Sequence, residues 1–216
     1  MKKLFVCLMA ICLGLAMNAD AQSAYAKQKA KKQKKEYKQK IKKYNKEGWD
    51  IFGSSHTLDV ALLNHYENLE KDGVEEVSGF ATSANKNVGK DKLMMSACTK
   101  YAQMIGSQLK GRIVEDMGSI VSTEELSEFE HFYAAYENNV KAEIRGELRP
   151  SYTIYRPVKI HGKDAYEFET YYLIDEAAAS RARIRAFQNA AKESAVAQKY
   201  AEQVSRFIEE GSYEEE

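Results

Sequence analysis

The four histidines and Cys98 are the residues whose chemistry could support a metal site or a nucleophile, and their spacing favours neither. His56, His65, His131 and His161 lie at no ligand-like spacing to one another, to Cys98 or to a pair of carboxylates. The common zinc-protease, nucleotide-binding and serine-hydrolase motifs do not occur. We therefore expect no metal and no cofactor, and we interpret the histidines as surface or hydrogen-bonded residues.

Two glutamates are the candidates for acid–base chemistry. Glu167 and Glu169 have the same parity in a stretch of alternating hydrophobicity, so a strand would place both carboxylates on one face. Carboxylates that lie close together can act as a general acid and a general base. Such pairs on a strand are more often solvated surface residues, so we expect no enzyme and keep a hydrolase as the alternative.

Tyrosine is abundant, with 14 copies in the chain. Five of them lie in the stretch that alternates in hydrophobicity: Tyr152, Tyr155, Tyr166, Tyr171 and Tyr172. Tyrosine rings that cluster on an outward face could stack on sugars or on aromatic ligands. Ordinary packing within a sheet is the other interpretation of the same pattern.

The first 21 residues have the order of a secretory signal peptide. Lys2 and Lys3 are followed by an almost unbroken apolar run over 4–17 and by the small-residue site at 19–21. The apolar run is too short to span a bilayer stably, which argues against an uncleaved anchor. We predict that the mature protein begins at Gln22 and is exported to the periplasm or the outer membrane, or is secreted.

One of the three cysteines belongs to the predicted mature protein. Cys7 and Cys12 lie in the signal segment and follow branched residues, so neither fits a lipoprotein cleavage site. Cys98 then has no partner for an intramolecular disulfide. Its helical surroundings favour a small buried hydrophobic side chain over a reactive thiol or an intermolecular bridge.

The predicted mature chain begins with a basic segment. Residues 22–46 contain 11 lysines and one acidic residue, whereas residues 47–216 contain 19 basic and 30 acidic residues. The segment lacks glycine and proline, and Tyr37, Ile41 and Tyr44 repeat at helical spacing. We predict a basic helical arm over 22–47, ended by Gly48, with Trp49 as the structural anchor of the arm.

The arm's lysines are the candidate binding residues. A cationic helix of an exported protein would meet lipid, lipopolysaccharide or another anionic polymer of the cell envelope, rather than nucleic acid. The alternative is a solvated helical spacer. The candidate lysines are Lys27, Lys29, Lys31, Lys32, Lys34, Lys35, Lys38, Lys40, Lys42 and Lys43.

Composition limits the rest of the chain to one globular domain. Of its 216 residues 44% are hydrophobic, 30% are charged and two are prolines, and the formal net charge is zero. This content supports a packed core, and no apolar run after the signal segment is long enough to span a membrane. We predict a single domain over 48–210 and an acidic tail over 211–216.

The first half of this domain contains helices and one strand. Thr57 is the predicted N-cap of a helix over 57–71, and Ser122 with Glu125 forms a capping box for a later helix. Between them we predict a strand over 75–84 and a long helix over 90–117. Gly79 in that strand would allow close approach of the covering helix.

The second half contains the clearest β pattern. Two alternating runs, over 151–160 and 165–175, predict a hairpin with a four-residue loop at 161–164. Pro157 places the first of these strands at a sheet edge because proline has no backbone N–H. Asp175 then caps a helix that is predicted to run from 176 to about 210. The predicted fold is α+β, a small antiparallel sheet with long helices on one face.

Part of this pattern resembles a family of exported Bacteroidota envelope proteins. The resemblance is carried by Gly48-Trp49 after the basic helix, by the helix with Leu58 and Leu62, and by the Gly79 strand. The alanine-rich helix is also similar to that of LPP-twenty-like surface lipoproteins and of the N-terminal domain of flagellar assembly protein T. The residues that carry this second similarity are Met94, Ala97, Tyr101, Ala102, Ile105 and Leu109.

The resemblance covers roughly residues 45–205, although the chain lacks the lipoprotein cysteine. It implies an α+β module associated with the envelope, without catalytic residues. We therefore expect a non-enzymatic binding or scaffold protein that contacts an anionic surface, with an envelope protein as a further partner. The alternative is a hydrolase of envelope polymers that uses Glu167 and Glu169.

Overall fold

The computed structural model describes residues 34–86 and 89–209. The chain divides into two compact units, Met1–Glu47 and Gly48–Glu216. The predicted signal peptide, the first part of the arm and the acidic tail lie outside the described residues. In the first unit the described residues form one helix, α1, over 34–47. Gly48 follows with φ 74°, the left-handed conformation that glycine adopts without steric cost.

The described part of the second unit contains a four-stranded antiparallel sheet in the order β1-β3-β4-β2. Its strands are β1 (Asp50–Ile51), β2 (Val74–Ser83), β3 (Arg149–Ile160) and β4 (Lys163–Asp175). Its helices are α2 (Leu58–Leu69), α3 (Gly89–Met117), α4 (Thr123–Ile144), α5 (Glu176–Ala191), α6 (Ala195–Lys199) and α7 (Ala201–Glu209). The predicted α+β fold is confirmed.

The two faces of the sheet are covered by different helices. The long helix α3 packs on β2 and β4, and α4, α5 and α7 complete the main hydrophobic core on that side. The short helix α2 lies against β2 and β3 on the other face, where its His65 ring contacts Tyr152 and Tyr171. The long helices therefore occupy one face, as predicted, and α2 covers part of the second.

Local capping signals fix where two of these helices begin. The Thr57 hydroxyl accepts a hydrogen bond from the Val60 N–H at the start of α2. At the start of α4, Ser122 and Glu125 bond reciprocally to each other's backbone N–H groups in a complete capping box. Both caps confirm the sequence prediction.

Gly79 lies where α3 crosses β2 at short distance. A Cβ atom at this position would lie 2.1 Å from the Leu93 carbonyl oxygen and 3.0 Å from the Ala97 nitrogen. Both neighbours are backbone atoms of a helix, so a side chain cannot be accommodated by a rotamer change. The predicted role of this glycine, close approach of a covering helix, is confirmed.

We expect Gly79→Ala to lower the free energy of unfolding by about 1–3 kcal/mol or more, because the methyl group must displace the α3 backbone. The measurement is urea denaturation followed by circular dichroism. Gly111→Ala is the matched control, since a Cβ on Gly111 meets nothing within 4 Å and alanine favours the helix. Equal stability of the two variants would contradict the tight crossing.

The two strands of the hairpin are joined by a shorter loop than predicted. The loop has two residues, His161 and Gly162, with φ 50° and 76°, which is the mirror-image turn that suits the twist of a hairpin. The predicted four-residue loop is therefore wrong. Ile154 lies opposite Glu169, and Tyr155 lies opposite Phe168, so even positions of the two strands point to opposite faces.

The predicted edge position of the Pro157 strand is only partly correct, because β1 lies outside β3 in the sheet. Among the described residues β1 pairs β3 only at Ile154 and Tyr155, so no strand pairs Pro157 on that side. The predicted continuous helix over 176–210 is wrong, because the helical conformation is interrupted between the end of α5 and the start of α6. The Ser194 hydroxyl there accepts a hydrogen bond from the Ala197 N–H and begins α6 as a new helix.

Candidate functional site

A cleft of about 680 Å³ opens on the α3 side of the sheet. Its walls are the loop 52–55 that follows β1, the first half of β3, the beginning of α3 and the end of α4. This volume lies within the range of small-molecule sites in proteins. The cleft is therefore the first candidate for a binding site in the second unit.

The loop 52–55 is held over β3 by a backbone hydrogen bond and by aromatic contacts. The Phe52 N–H donates to the Thr153 carbonyl over 2.8 Å. The Phe52 ring packs edge-on against Tyr155 and Phe168, with centroids 5.6 and 5.3 Å apart. Gly53 has φ 65°, which lets the chain turn away from the sheet immediately afterwards.

The sheet contributes a floor of neutral hydroxyl groups. Thr153 and Thr170 lie opposite each other on β3 and β4, and their hydroxyl oxygens share a hydrogen bond of 2.8 Å. Burial and the nearby Cys98 raise the pKa of Tyr172 to about 12, although a hydrogen bond with Thr170 acts in the opposite sense. The Tyr172 phenol consequently remains protonated at physiological pH.

The rim of the cleft carries one group of each charge. Asp91 lies in the first turn of α3, and Arg145 is the C-cap of α4. Among the described residues Arg145 makes no ion pair, whereas Arg156 and Arg185 bind carboxylates at 2.6 and 2.7 Å. The Arg145 guanidinium is exposed and is available to an anionic ligand.

A serine–histidine–glutamate network lies next to the cleft. Ser151, which contributes to the cleft wall, has its hydroxyl 3.0 Å from His65 Nδ1, and His65 Nε2 lies 2.6 Å from a Glu76 oxygen. These residue types form the hydrogen-bonded series of a nucleophile, a base and an orienting acid. However, His65 has 0% exposure, so a substrate's leaving group cannot reach its ring.

The network therefore serves to join α2, β2 and β3. The Tyr152 and Tyr171 rings stack on each other at 4.6 Å, and each meets the His65 ring edge-on. The network could not be predicted from the sequence because its members come from positions 65, 76 and 151. No spacing along the chain indicates that they meet.

The predicted lysines occupy the first unit. Lys27, Lys29, Lys31 and Lys32 lie outside the described residues. The others lie on α1: Lys34, Lys35, Lys38, Lys40, Lys42 and Lys43. The helix also carries Lys46.

Five of the lysines on α1 form one surface, which we call the lysine patch. The patch consists of Lys34, Lys35, Lys38, Lys42 and Lys46. At about 100° per helical residue these positions lie within an arc of about 120°. All five side chains are exposed, and none has an ion-pair partner among the described residues. The charge of the patch is thus not neutralised by the described part of the chain.

Trp49 is buried in the second unit, with 9% exposure. The Arg156 guanidinium lies 4.6 Å from its ring centroid and binds Glu167 at 2.6 Å. Glu167 is thus engaged in an ion pair, with a side-chain exposure of 21%. Neither Glu167 nor Glu169 lines the cleft.

Cys98 is fully buried in the core, and this burial raises the pKa of its thiol. A raised pKa lowers the thiolate fraction, so the thiol is a poor nucleophile at neutral pH. Within 34–86 and 89–209, histidine, cysteine and carboxylate side chains form no group of three or more that could hold a metal ion. The burial of Cys98 agrees with its interpretation as a small hydrophobic residue of the core.

Comparison of the chain with protein-family models, with curated proteins and with solved structures finds no match. The resemblance to exported envelope proteins thus stays a prediction from the residues. In the part of the chain that the structure describes, no helix combines the length and the apolar character needed to cross a bilayer.

Proposed function

We propose that this chain is a non-enzymatic binding protein of the bacterial cell envelope, and that its basic helix holds it on an anionic surface. The observation that carries the proposal is the lysine patch on α1, five exposed cations without an ion-pair partner among the described residues. The export signal predicted at 1–21 supports a location in the periplasm or at the outer membrane. Lipid phosphates or lipopolysaccharide are the anions we propose there, with an envelope protein as a second partner.

The strength of such attachment follows from the charge. Each lysine near an anionic surface contributes about 1 kcal/mol, so five would give about 5 kcal/mol, a dissociation constant between about 0.1 and 1 mM. The screening length is about 8 Å at physiological salt, and it shortens as salt rises. The binding we propose is peripheral, reversible and sensitive to salt.

A hydrolase that uses Glu167 and Glu169 has less support. Glu167 is held by Arg156 in an ion pair of 2.6 Å, so its carboxylate is already engaged within the protein. Glu169 lies opposite Ile154 and Phe80 in the register, with no second acid facing it from those strands. This arrangement favours the binding function.

We predict that replacing the five patch lysines with glutamine weakens binding to vesicles at least tenfold. The measurement is co-sedimentation of the protein beginning at Gln22, with phosphatidylcholine vesicles containing phosphatidylglycerol in one arm and lipopolysaccharide in another. Wild type should bind both anionic vesicles at low salt and dissociate when salt is raised several-fold. Vesicles of pure phosphatidylcholine should bind neither protein.

The matched control removes five lysines from the second unit. These are Lys71, Lys92, Lys141, Lys163 and Lys192, each replaced by glutamine. The control has the same net charge as the patch variant, so it separates the local patch from overall charge. We expect it to bind within about twofold of wild type. Equal losses in the two variants, or binding that salt does not change, would show that α1 is a spacer.

A further inference from the structure

We infer that the cleft between loop 52–55 and the sheet binds a sugar acid, a hydroxylated ring that carries one carboxylate. The inference concerns the second unit alone and is independent of the lysine patch. It rests on three properties of the cleft: neutral hydroxyl groups, one aromatic ring and an arginine without an ion-pair partner among the described residues. Each of them corresponds to one part of such a ligand.

The hydroxyl groups match the ring substituents of a sugar. Three residues bring hydroxyl groups to the cleft: Ser54, Ser55 and Thr153. The Ser151 hydroxyl is bonded to His65 instead, and Thr170, at 3% exposure, supports Thr153 from below. Each hydroxyl can donate one hydrogen bond and accept others, as sugar hydroxyls do, so the two sets can pair without a charge.

The Phe52 ring matches an apolar face of a sugar ring. Phe52 is half-buried and borders the cleft. Tyr152 and Tyr172 are each 4% exposed, and the Tyr152 ring stacks on Tyr171 on the other face of the sheet. Of the five hairpin tyrosines, Tyr155 and Tyr166 are engaged instead with Lys86 and the Phe168 cluster. Packing within the domain therefore accounts for the hairpin tyrosines, and Phe52 is the aromatic residue that we assign to the ligand.

Arg145 matches the carboxylate. A guanidinium presents two parallel N–H groups to the two oxygens of a carboxylate, which gives a stronger and more directional contact than a lysine would. Asp91, which also lines the cleft, can accept hydrogen bonds from ring hydroxyls and would repel a second acid group on the ligand. These two charges favour a ligand with one carboxylate over a neutral sugar or a polyanion.

The test is a titration of the protein beginning at Gln22 with three probes, followed by NMR line shifts or calorimetry. D-Glucuronate carries both the ring and the carboxylate, D-glucose carries the ring alone, and N-acetyl-alanine carries a carboxylate on a peptide-like frame. We expect glucuronate to bind at least tenfold more tightly than either of the others. Arg145→Gln should remove this preference and leave glucose binding within about twofold.

Two further variants make the result specific to the cleft. Arg181→Gln removes an exposed arginine that does not line the cleft, and it should leave all three titrations unchanged. Thr153→Val removes a hydroxyl that lines the cleft and should weaken glucuronate and glucose together. Glucuronate binding that equals glucose binding, or that survives Arg145→Gln, would overturn the inference. N-Acetyl-alanine binding as tight as glucuronate binding would also overturn it and assign the cleft to a peptide carboxylate.

Discussion

Replacing Glu176 with glutamine should lower the free energy of unfolding by about 3 kcal/mol, because it leaves an arginine charge in the core without its counter-ion. Arg183, on α5, is 2% exposed and donates to the Tyr101 hydroxyl at 2.9 Å. It also donates to both oxygens of Glu176, at 2.5 and 3.2 Å. The expected loss of unfolding free energy lies at the low end for buried ion pairs, because the Glu176 side chain is 35% exposed.

The pKa of Arg183 depends on burial and on its hydrogen-bond partners, which act in opposite directions. Burial acts to lower it, but the hydrogen bonds to Glu176 and Tyr101 outweigh burial and place the pKa above its ordinary value. The guanidinium therefore stays charged at all accessible pH, and it cannot relieve the loss of Glu176 by releasing a proton. For this reason we expect a large effect from a substitution that preserves size.

Two control variants distinguish the buried charge from ordinary ion pairing. Arg183→Met removes the charge itself and leaves Glu176 partly hydrated, so we expect a loss of only about 1 kcal/mol, mainly from the Tyr101 hydrogen bond. Glu143→Gln breaks an ion pair with the more exposed Arg185 and should cost less than about 1 kcal/mol. Chemical denaturation gives all three values. A Glu176→Gln variant as stable as Glu143→Gln would contradict the proposed role of Glu176.

Features that depend on neighbouring residues were predictable from the sequence. The Thr57 cap and the Ser122 capping box need only three or four consecutive positions, and the structure contains both. Gly79 was predictable because a glycine inside a strand often marks the close approach of another segment. The α+β class followed from the order of these local elements.

Features that depend on pairing between distant segments were not predictable. Alternating hydrophobicity indicates that every second residue of β3 and of β4 is buried, but it does not specify the register between the two strands. The turn at His161 and Gly162 sets that register, and it places Ile154 opposite Glu169. Because α2 covers the second face, apolar residues are buried on both sides of the sheet.

The candidate site also could not be predicted from the sequence, because it is assembled from distant segments. The cleft is formed by segments near positions 52, 91, 145 and 170, and its residues are common types without characteristic spacing. The lysine patch, in contrast, is a local feature of one helix and could be recognised in the sequence. Local charge was thus easier to interpret than a site assembled by the tertiary fold.

The second large effect is expected at Trp49, the one tryptophan of the chain. Trp49→Ala should lower the free energy of unfolding by about 3–5 kcal/mol, the usual loss for a large buried aromatic side chain. The ring is 9% exposed and lies under the Arg156 guanidinium. Urea denaturation measures the change, and Phe80→Ala is the control because the Phe80 ring is 51% exposed.

The single tryptophan also provides a spectroscopic test of the same burial. The folded protein should emit at shorter wavelength than free indole in water, and unfolding should shift the emission to longer wavelength. Trp49→Phe should retain most of the stability, because phenylalanine still fills much of the buried site. The remaining loss is expected because the Arg156 guanidinium interacts less strongly with a phenylalanine ring. Water-like emission from the folded protein, together with a Trp49→Ala loss no larger than that of Phe80→Ala, would show that the ring is solvated. In that case Trp49 would have no anchoring role.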